Sequence, residues 1–383
     1  MLQTFPPPTA ASDATTVSAG GWRAWLAAEG EAAALARWDD LAAAAATANP
    51  FLESWFLLPA MRAFDTRDEL LFLRVAAEGR LIGLMPLVRS RRYGRRRLPH
   101  LALWLHGNAF LGAPLVRAGH EAAFWRAALA WADRHRGPGV FLHLEALPLD
   151  GPVHAALVVT AAAEGRRLAL VRREERALLV AGSTAEAHLA AALPAKKRKE
   201  LRRQRARLAE RGELAVAHQA DAAGLDGWID AFLALEARGW KGRAGSAIAS
   251  QVYTAAIFRA ALAGAAARGR LDRLALVLDG APVAMLASFR TPGGGVFSFK
   301  TAFDEAYARF SPGVLLQVEN LARLDEPGFA WCDSCAAADH PMIDSLWRER
   351  RAIGRVSVAI GGGLRRALFG RLVDLELSRS PVG

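Results

Sequence analysis

LDRLALVLDGAPVAMLASFRTPGGGVFSFKTAF (271–303) reads as three strands in a row. The first two, 271–279 and 282–290, join at Gly280, and the glycine run 293–295 after Pro292 turns the chain into the third, 296–303. Tight glycine turns between apolar runs of this length are the mark of an antiparallel meander. The third strand stops at DEAYARFSPG (304–313), where Ser311 suits a helix N-cap and Pro312 a first turn, so a helix is expected over 314–324. A strand that feeds a helix start brings unpaired backbone N–H groups to the strand's end, where they can hold an anion, and Arg309 adds a fixed charge there.

Working outward, a strand at 213–219 and helices at 225–238 and 250–268 precede the meander. Strand FAWCDS (329–334), a short helix near 343–350 and a strand at 354–360 follow it. A similar order recurs upstream. Helical patterns over 22–48 and 52–64 lead into a strand pair, 70–77 and 80–88, around Glu78-Gly79. Strand 101–106, helix 120–135 and strand 140–147 come next, and a helix near 152–164 and a strand near 176–180 lead out. At 383 residues the chain exceeds the roughly 250–300 at which one core stops growing. The expectation is an α/β (α+β) chain with two tandem domains, 21–182 and 183–383, each a mixed, mainly antiparallel sheet flanked by helices. Residues 1–20 have neither a basic start nor an apolar stretch, so they read as a disordered tail and not as a secretory signal.

Composition narrows the function. Hydrophobic residues make up 52% and charged residues 23%, which fits a globular fold. No apolar run approaches the roughly 18 residues of a spanning helix, and two cysteines cannot build a disulfide framework, so a cytoplasmic protein is expected. The net charge of +11 is concentrated. KKRKELRRQRARLAER (196–211) holds nine basic and two acidic residues, and RSRRYGRRR (89–97) holds six basic and none acidic. Such clustering suggests anion sites, a transfer RNA or an anionic membrane surface, and it leaves open a non-catalytic polyanion-binding protein. Cys332-Asp333-Ser334-Cys335 with His340 lacks the second ligand pair of a closed zinc site, so no metal is expected. His106, in WLHGN, could reach the interface between the halves but reads as a structural histidine.

The basic run 196–212, Gly-Trp-Lys-Gly at 239–242, the hairpin 271–290 and FSFKTAFDEAYARFSPGVLL (297–316) together resemble the acyltransferase domain of cellulose and capsule synthesis. This is the CelD-like branch of the GNAT superfamily, which is also similar to Fem-type peptidyltransferases. NPFLESWFLLPAMRAF (49–64) and FLGAPLV (110–116) resemble that branch's first half. The resemblance implies two GNAT-like domains and an N-acyltransferase that moves an acyl group from acyl-CoA, typically acetyl-CoA, to an amine. A cell-envelope or polysaccharide acceptor would suit the branch, and the Fem likeness implies aminoacyl-tRNA as the alternative donor. The carrier would lie on Arg309, Ser311, Gly313 and Val314. The usual glycine-rich loop is here Arg-Phe-Ser-Pro-Gly, in which Pro312 offers no N–H.

Direct transfer needs a base for the amine and an acid for the leaving group. Asp304 and Asp333, at strand ends, are the candidate bases, and Tyr307 beside the turn is the candidate acid. Trp240 and Lys241 place an aromatic and a cation on a short loop toward acceptor or carrier. Lys300 is expected on the face of Ser298, opposite Phe297 and Phe299, and His340 is expected to line the acceptor site.

Overall fold

Alternating apolar segments separated by glycine turns assemble into one thirteen-stranded sheet in the computed structural model, which describes residues 15–379. The strands are β1 (Thr15–Gly20), β2 (Leu71–Ala77), β3 (Arg80–Ser90), β4 (His100–Leu103), β5 (Leu115–Val116), β6 (Phe141–Pro148) and β7 (Leu168–Val180). They continue as β8 (Leu214–Gln219), β9 (Leu271–Leu278), β10 (Ala281–Arg290), β11 (Gly295–Phe303), β12 (Trp331–Asp333) and β13 (Glu349–Ala359). Across the sheet the order is β1-β2-β3-β4-β6-β13-β7-β12-β11-β10-β9-β8, with β5 beside β3. Among the described residues only β4 with β6 and β11 with β12 run parallel.

The two halves share one design. A hairpin and a third antiparallel strand (β2-β3-β4, then β9-β10-β11) are followed by a helix that crosses to a parallel partner. The crossing helices are Glu121–His135 and Pro312–Glu319. The halves are also tied together. β7 pairs with β13 and, at its end, with β12, while β13 returns from late in the chain to lie between β6 and β7. The boundary expected at 182/183 therefore falls just behind a strand common to both halves. Helix Gly363–Arg379, assigned above to the second domain, packs Phe369 and Val373 on Phe141 and Ala169 of the first.

Several expectations need correcting. Thr15–Gly20 is not a loose tail: it pairs with β2 in register Thr15↔Ala77 to Gly20↔Phe72, and the rest of the expected tail lies outside the described residues. The helical run over 22–48 is two helices, Trp22–Glu29 and Glu31–Ala43, broken at Gly30, whose φ of 78° is cheap only for glycine. The helix expected near 343–350 is a series of turns, and β13 begins at Glu349.

A core between the halves fixes their relation. Helix Ser54–Phe64 of the first half packs on helix Val252–Ala266 of the second. Ring centroids lie 5.0 Å apart for Trp55 and Phe289, 5.5 Å for Phe51 and Phe297, and 5.6 Å for Phe56 and Phe299. Burying rings of this size is worth about 2 kcal/mol each, far more than the partly exposed pair of Asp39 with Arg268. Residues from both halves can therefore serve one rigid site.

Candidate functional site

β11 pairs with β12 only from Gly295–Trp331 to Phe297–Asp333, yet it runs on to Phe303 beside β10. Beyond Phe297 its other edge has no strand partner among the described residues, because β12 ends at Asp333. At the same place the register against β10 steps from Ala287↔Lys300 to Ser288↔Ser298, which leaves Phe299 as an extra residue. A bulge of this kind re-aims side chains. The face expected for Lys300 is thereby reversed: its Nζ lies 4.8 Å from the Phe110 ring centroid and 5.7 Å from that of Phe299, on the apolar side.

Lys300 is the centre of a small group. Desolvation, and then the nearby charge of Lys241, pulls its pKa down to about 8. Lys241 sits on the one-turn helix Trp240–Arg243 and donates from Nζ to Glu236 Oε1 at 2.7 Å and to the Thr301 carbonyl at 3.4 Å. The turn requires Gly242, because a β-carbon there would lie 1.7 Å from the Ala237 carbonyl oxygen. Glu236 is buried, and its Oε2 accepts from the Ile248 N–H at 2.8 Å. His340 is half-buried; burial, then the Lys241 charge, lowers its pKa, and its Nδ1 has no partner among the described residues.

His106 comes from the first half. It is 8% exposed, stacks on Phe56 with centroids 5.5 Å apart, and has its pKa lowered to about 4 by burial and then by the Lys300 charge. Nδ1 accepts from the Asn108 N–H at 3.4 Å, which leaves the proton on Nε2, and Nε2 is buried without a partner among the described residues. A neutral imidazole N–H in this position can donate to charge developing on a substrate oxygen.

The other expected residues are placed elsewhere. Asp333 is fully buried: Oδ2 accepts from Arg176 at 2.7 Å and Arg351 at 2.8 Å, and Oδ1 accepts from the Cys335 N–H at 2.9 Å. With both oxygens engaged, it positions its neighbours and is not available as a base. Arg176 in turn donates to the Phe110 carbonyl at 2.7 Å, holding the ring that faces Lys300. Asp304 caps the 3-10 turn Glu305–Phe310 by accepting from the Ala306 N–H at 2.9 Å. Tyr307 packs against the cluster around Phe310 and Leu315, not with Lys300. Trp240 is 55% exposed, and its backbone N–H donates to Glu305 Oε1 at 2.6 Å. Cys332 and Cys335 are buried thiols whose pKa burial raises, that of Cys332 to about 11.

At the helix start, Ser311 takes the left-handed conformation (φ 54°) and makes no side-chain cap; its hydroxyl accepts from Gln204 at 3.3 Å instead. Gln204 belongs to the basic helix Ala195–Ala209, so that helix lies alongside the turn, with Arg205 paired to Glu319 at 3.1 Å. Arg309 is exposed over Phe310, and Val314 is half-buried. Gly313 is buried against Met342, whose Sδ would lie 2.6 Å from a β-carbon placed there.

Glu236 and Phe110 carried no role in the sequence reading. The former had a readable signal, an acid at helical spacing on the apolar stripe Ile229, Phe232, Leu233.

Residues 195–340 match the family described as acetyltransferase (GNAT) domain. No curated protein matches the sequence. Among solved structures, the C-terminal domain of a proposed lysylphosphatidylglycerol synthetase from Agrobacterium fabrum is 14% identical with a TM-score of 0.52, covering 88% of this chain and 96% of that one. FemX is 10% identical with a TM-score of 0.53, covering 88% and 98%. A tandem GNAT protein from the clavulanic acid biosynthesis pathway is 19% identical with a TM-score of 0.44, covering 91% and 99%. At these identities the first two likenesses concern the fold alone, a mixed α/β architecture with a large, mainly antiparallel sheet flanked by helices. Among the described residues, no helix is long and apolar enough to cross a membrane.

Proposed function

We propose that this chain is an N-acyltransferase that moves an acyl group from acyl-CoA to an amine. The observation that carries this reading is the edge of β11 beyond Phe297, unpaired by any strand among the described residues, which leads from Lys300 toward the start of helix Pro312–Glu319. The uncapped N–H groups of Gly313 and Val314, with Arg309 and the basic helix alongside, suit the phosphates of such a carrier. Coenzyme A supplies an activated thioester when bound. Lys300, whose pKa lies near neutral pH, takes the proton of the attacking amine as the new C–N bond forms and the C–S bond breaks. The Nε2–H of His106 donates to the carbonyl oxygen as charge builds there. The departing thiolate takes its proton from the Lys300 ammonium so formed, which returns Lys300 to its starting state.

Acetyl-CoA should raise the unfolding temperature at moderate salt and after ribonuclease treatment, and an acetylated amine should appear by mass spectrometry. Absence of both would overturn the assignment. The second reading, aminoacyl transfer from transfer RNA, rests on helix Ala195–Ala209 beside the same turn; binding abolished by ribonuclease and falling steeply with salt would favour it. Acceptors of cell-envelope or polysaccharide metabolism are the first to try, from the CelD-like resemblance.

A further inference from the structure

A cavity of about 750 Å³ lies in the first half, far from the helix start. Strand pairing sets its floor. Val88 faces Ala102 and Ala102 faces His143, so these side chains share the sheet face opposite Leu87, Leu101 and Leu142, which helices Glu121–His135 and Pro152–Ala163 cover. Its rim is the arginine-rich tip, held as a tight turn by two backbone hydrogen bonds of 3.0 Å between Tyr93 and Arg96. Arg92, Arg95, Arg96 and Arg355 line it, and none has an ion-pair partner among the described residues. Its two acids are engaged: Glu376 accepts from the Tyr93 hydroxyl at 2.9 Å, and Glu145 lies 3.6 Å from His143 Nε2. Four unpaired guanidinium groups around a cavity with Leu103, Leu105 and Trp104 in its wall are a seat for a phosphate joined to an apolar body.

A second cavity, of about 300 Å³, shares Glu145 and Arg355 with the first and continues past Arg172 and Arg176 to Phe110 and Cys335, the neighbours of Lys300. From β4 to β11 is five strand spacings, about 24 Å at roughly 4.8 Å each. We infer that this trough is a second ligand site, which seats an organic phosphate with an apolar or extended arm and aims the arm at Lys300. Resting on the transferase reading, the site belongs to the acceptor: its phosphate sits on the tip, and its amine reaches the transfer centre.

The test is calorimetric titration of the full chain with uridine diphosphate and with dihexanoyl phosphatidic acid, using wild type and the variant Arg92→Ala/Arg95→Ala/Arg96→Ala. These three side chains are exposed and the turn is held by backbone bonds, so the variant keeps its fold. At least one probe should bind wild type and lose tenfold or more in the variant, while the thermal shift with acetyl-CoA stays the same. Tight binding of the diphosphate points to a nucleotide-linked acceptor, and of the phosphatidate to a lipid headgroup. Equal binding to both proteins, no binding of either probe, or tip-dependent binding confined to RNA would overturn the inference. Because binding is read without turnover, these outcomes stand apart from failure of the transferase reading. In that second case the probes bind as stated but no acetylated product forms with any amine.

Discussion

Replacing Lys300 with methionine should stabilise the protein at neutral pH, and the amount can be worked from its surroundings. Depression of the pKa from 10.5 to about 8 means that the folded state holds the ammonium less well than water does. At about 1.4 kcal/mol per pH unit, the difference is about 3 kcal/mol. Loss of the ring contacts with Phe110 and Phe299 returns about 1 kcal/mol, which leaves a net gain of about 2 kcal/mol for the apolar variant at pH 7. The sign of the pH dependence follows from proton counts. Below pH 8 both states of the wild type hold the proton and its penalty is complete. Between about 8 and 10.5 the unfolded chain keeps the proton that the folded chain has released, so wild-type stability rises with pH relative to the variant. Urea unfolding of both proteins at pH 7 and pH 10 measures this directly, since other titrating groups cancel in the comparison. A variant less stable than wild type at pH 7, or a difference that does not shrink by pH 10, would show that the ammonium is well solvated. Lys300 would then be an ordinary lysine and its role as a base would fall with it.

Two further outcomes test the rest of the centre. If Lys300 accepts the amine's proton, kcat/KM should climb with pH about a midpoint near 8 and carry no inflection near 6.5, because His106 stays neutral above about pH 5; His106→Ala should lower kcat on the order of 100-fold with the midpoint unchanged. Asp333→Asn leaves the Arg176 and Arg351 guanidinium groups facing an amide and should cost about 3–5 kcal/mol in urea unfolding, yet the folded variant should retain the rising limb of the pH profile; loss of that limb would restore Asp333 as a base.

The meander was legible because its signals are local: three apolar runs and glycine turns, all within 271–303. β7 was read only at its end because the charged run RREE (172–175) hides the strand. Neighbouring pairs along it, Arg172 with Glu174 at 2.5 Å and Arg173 with Glu175 at 2.6 Å, let a strand carry charge on both faces. The insertion of β13 between β6 and β7 joins residues more than 150 positions apart, and no local pattern announces it.

The site shows the same division. Lys241, Lys300 and His340 were singled out and do come together, and Lys300 was read on the wrong face for one physical reason. Period-two alternation assumes unbroken register, and the extra residue at Phe299 breaks it just beyond the last pairing of β11 with β12. That one residue puts an ammonium against rings that the alternation would have kept from it. Its lowered pKa then depends on Phe110, a residue of the other half, held by Arg176 from the shared strand and through it by Asp333. A bulge, a distant aromatic and a buried ion pair are each unremarkable in sequence; the chemistry arises where packing makes them neighbours, so a proton acceptor near neutral pH is a property of the joined halves and of neither alone.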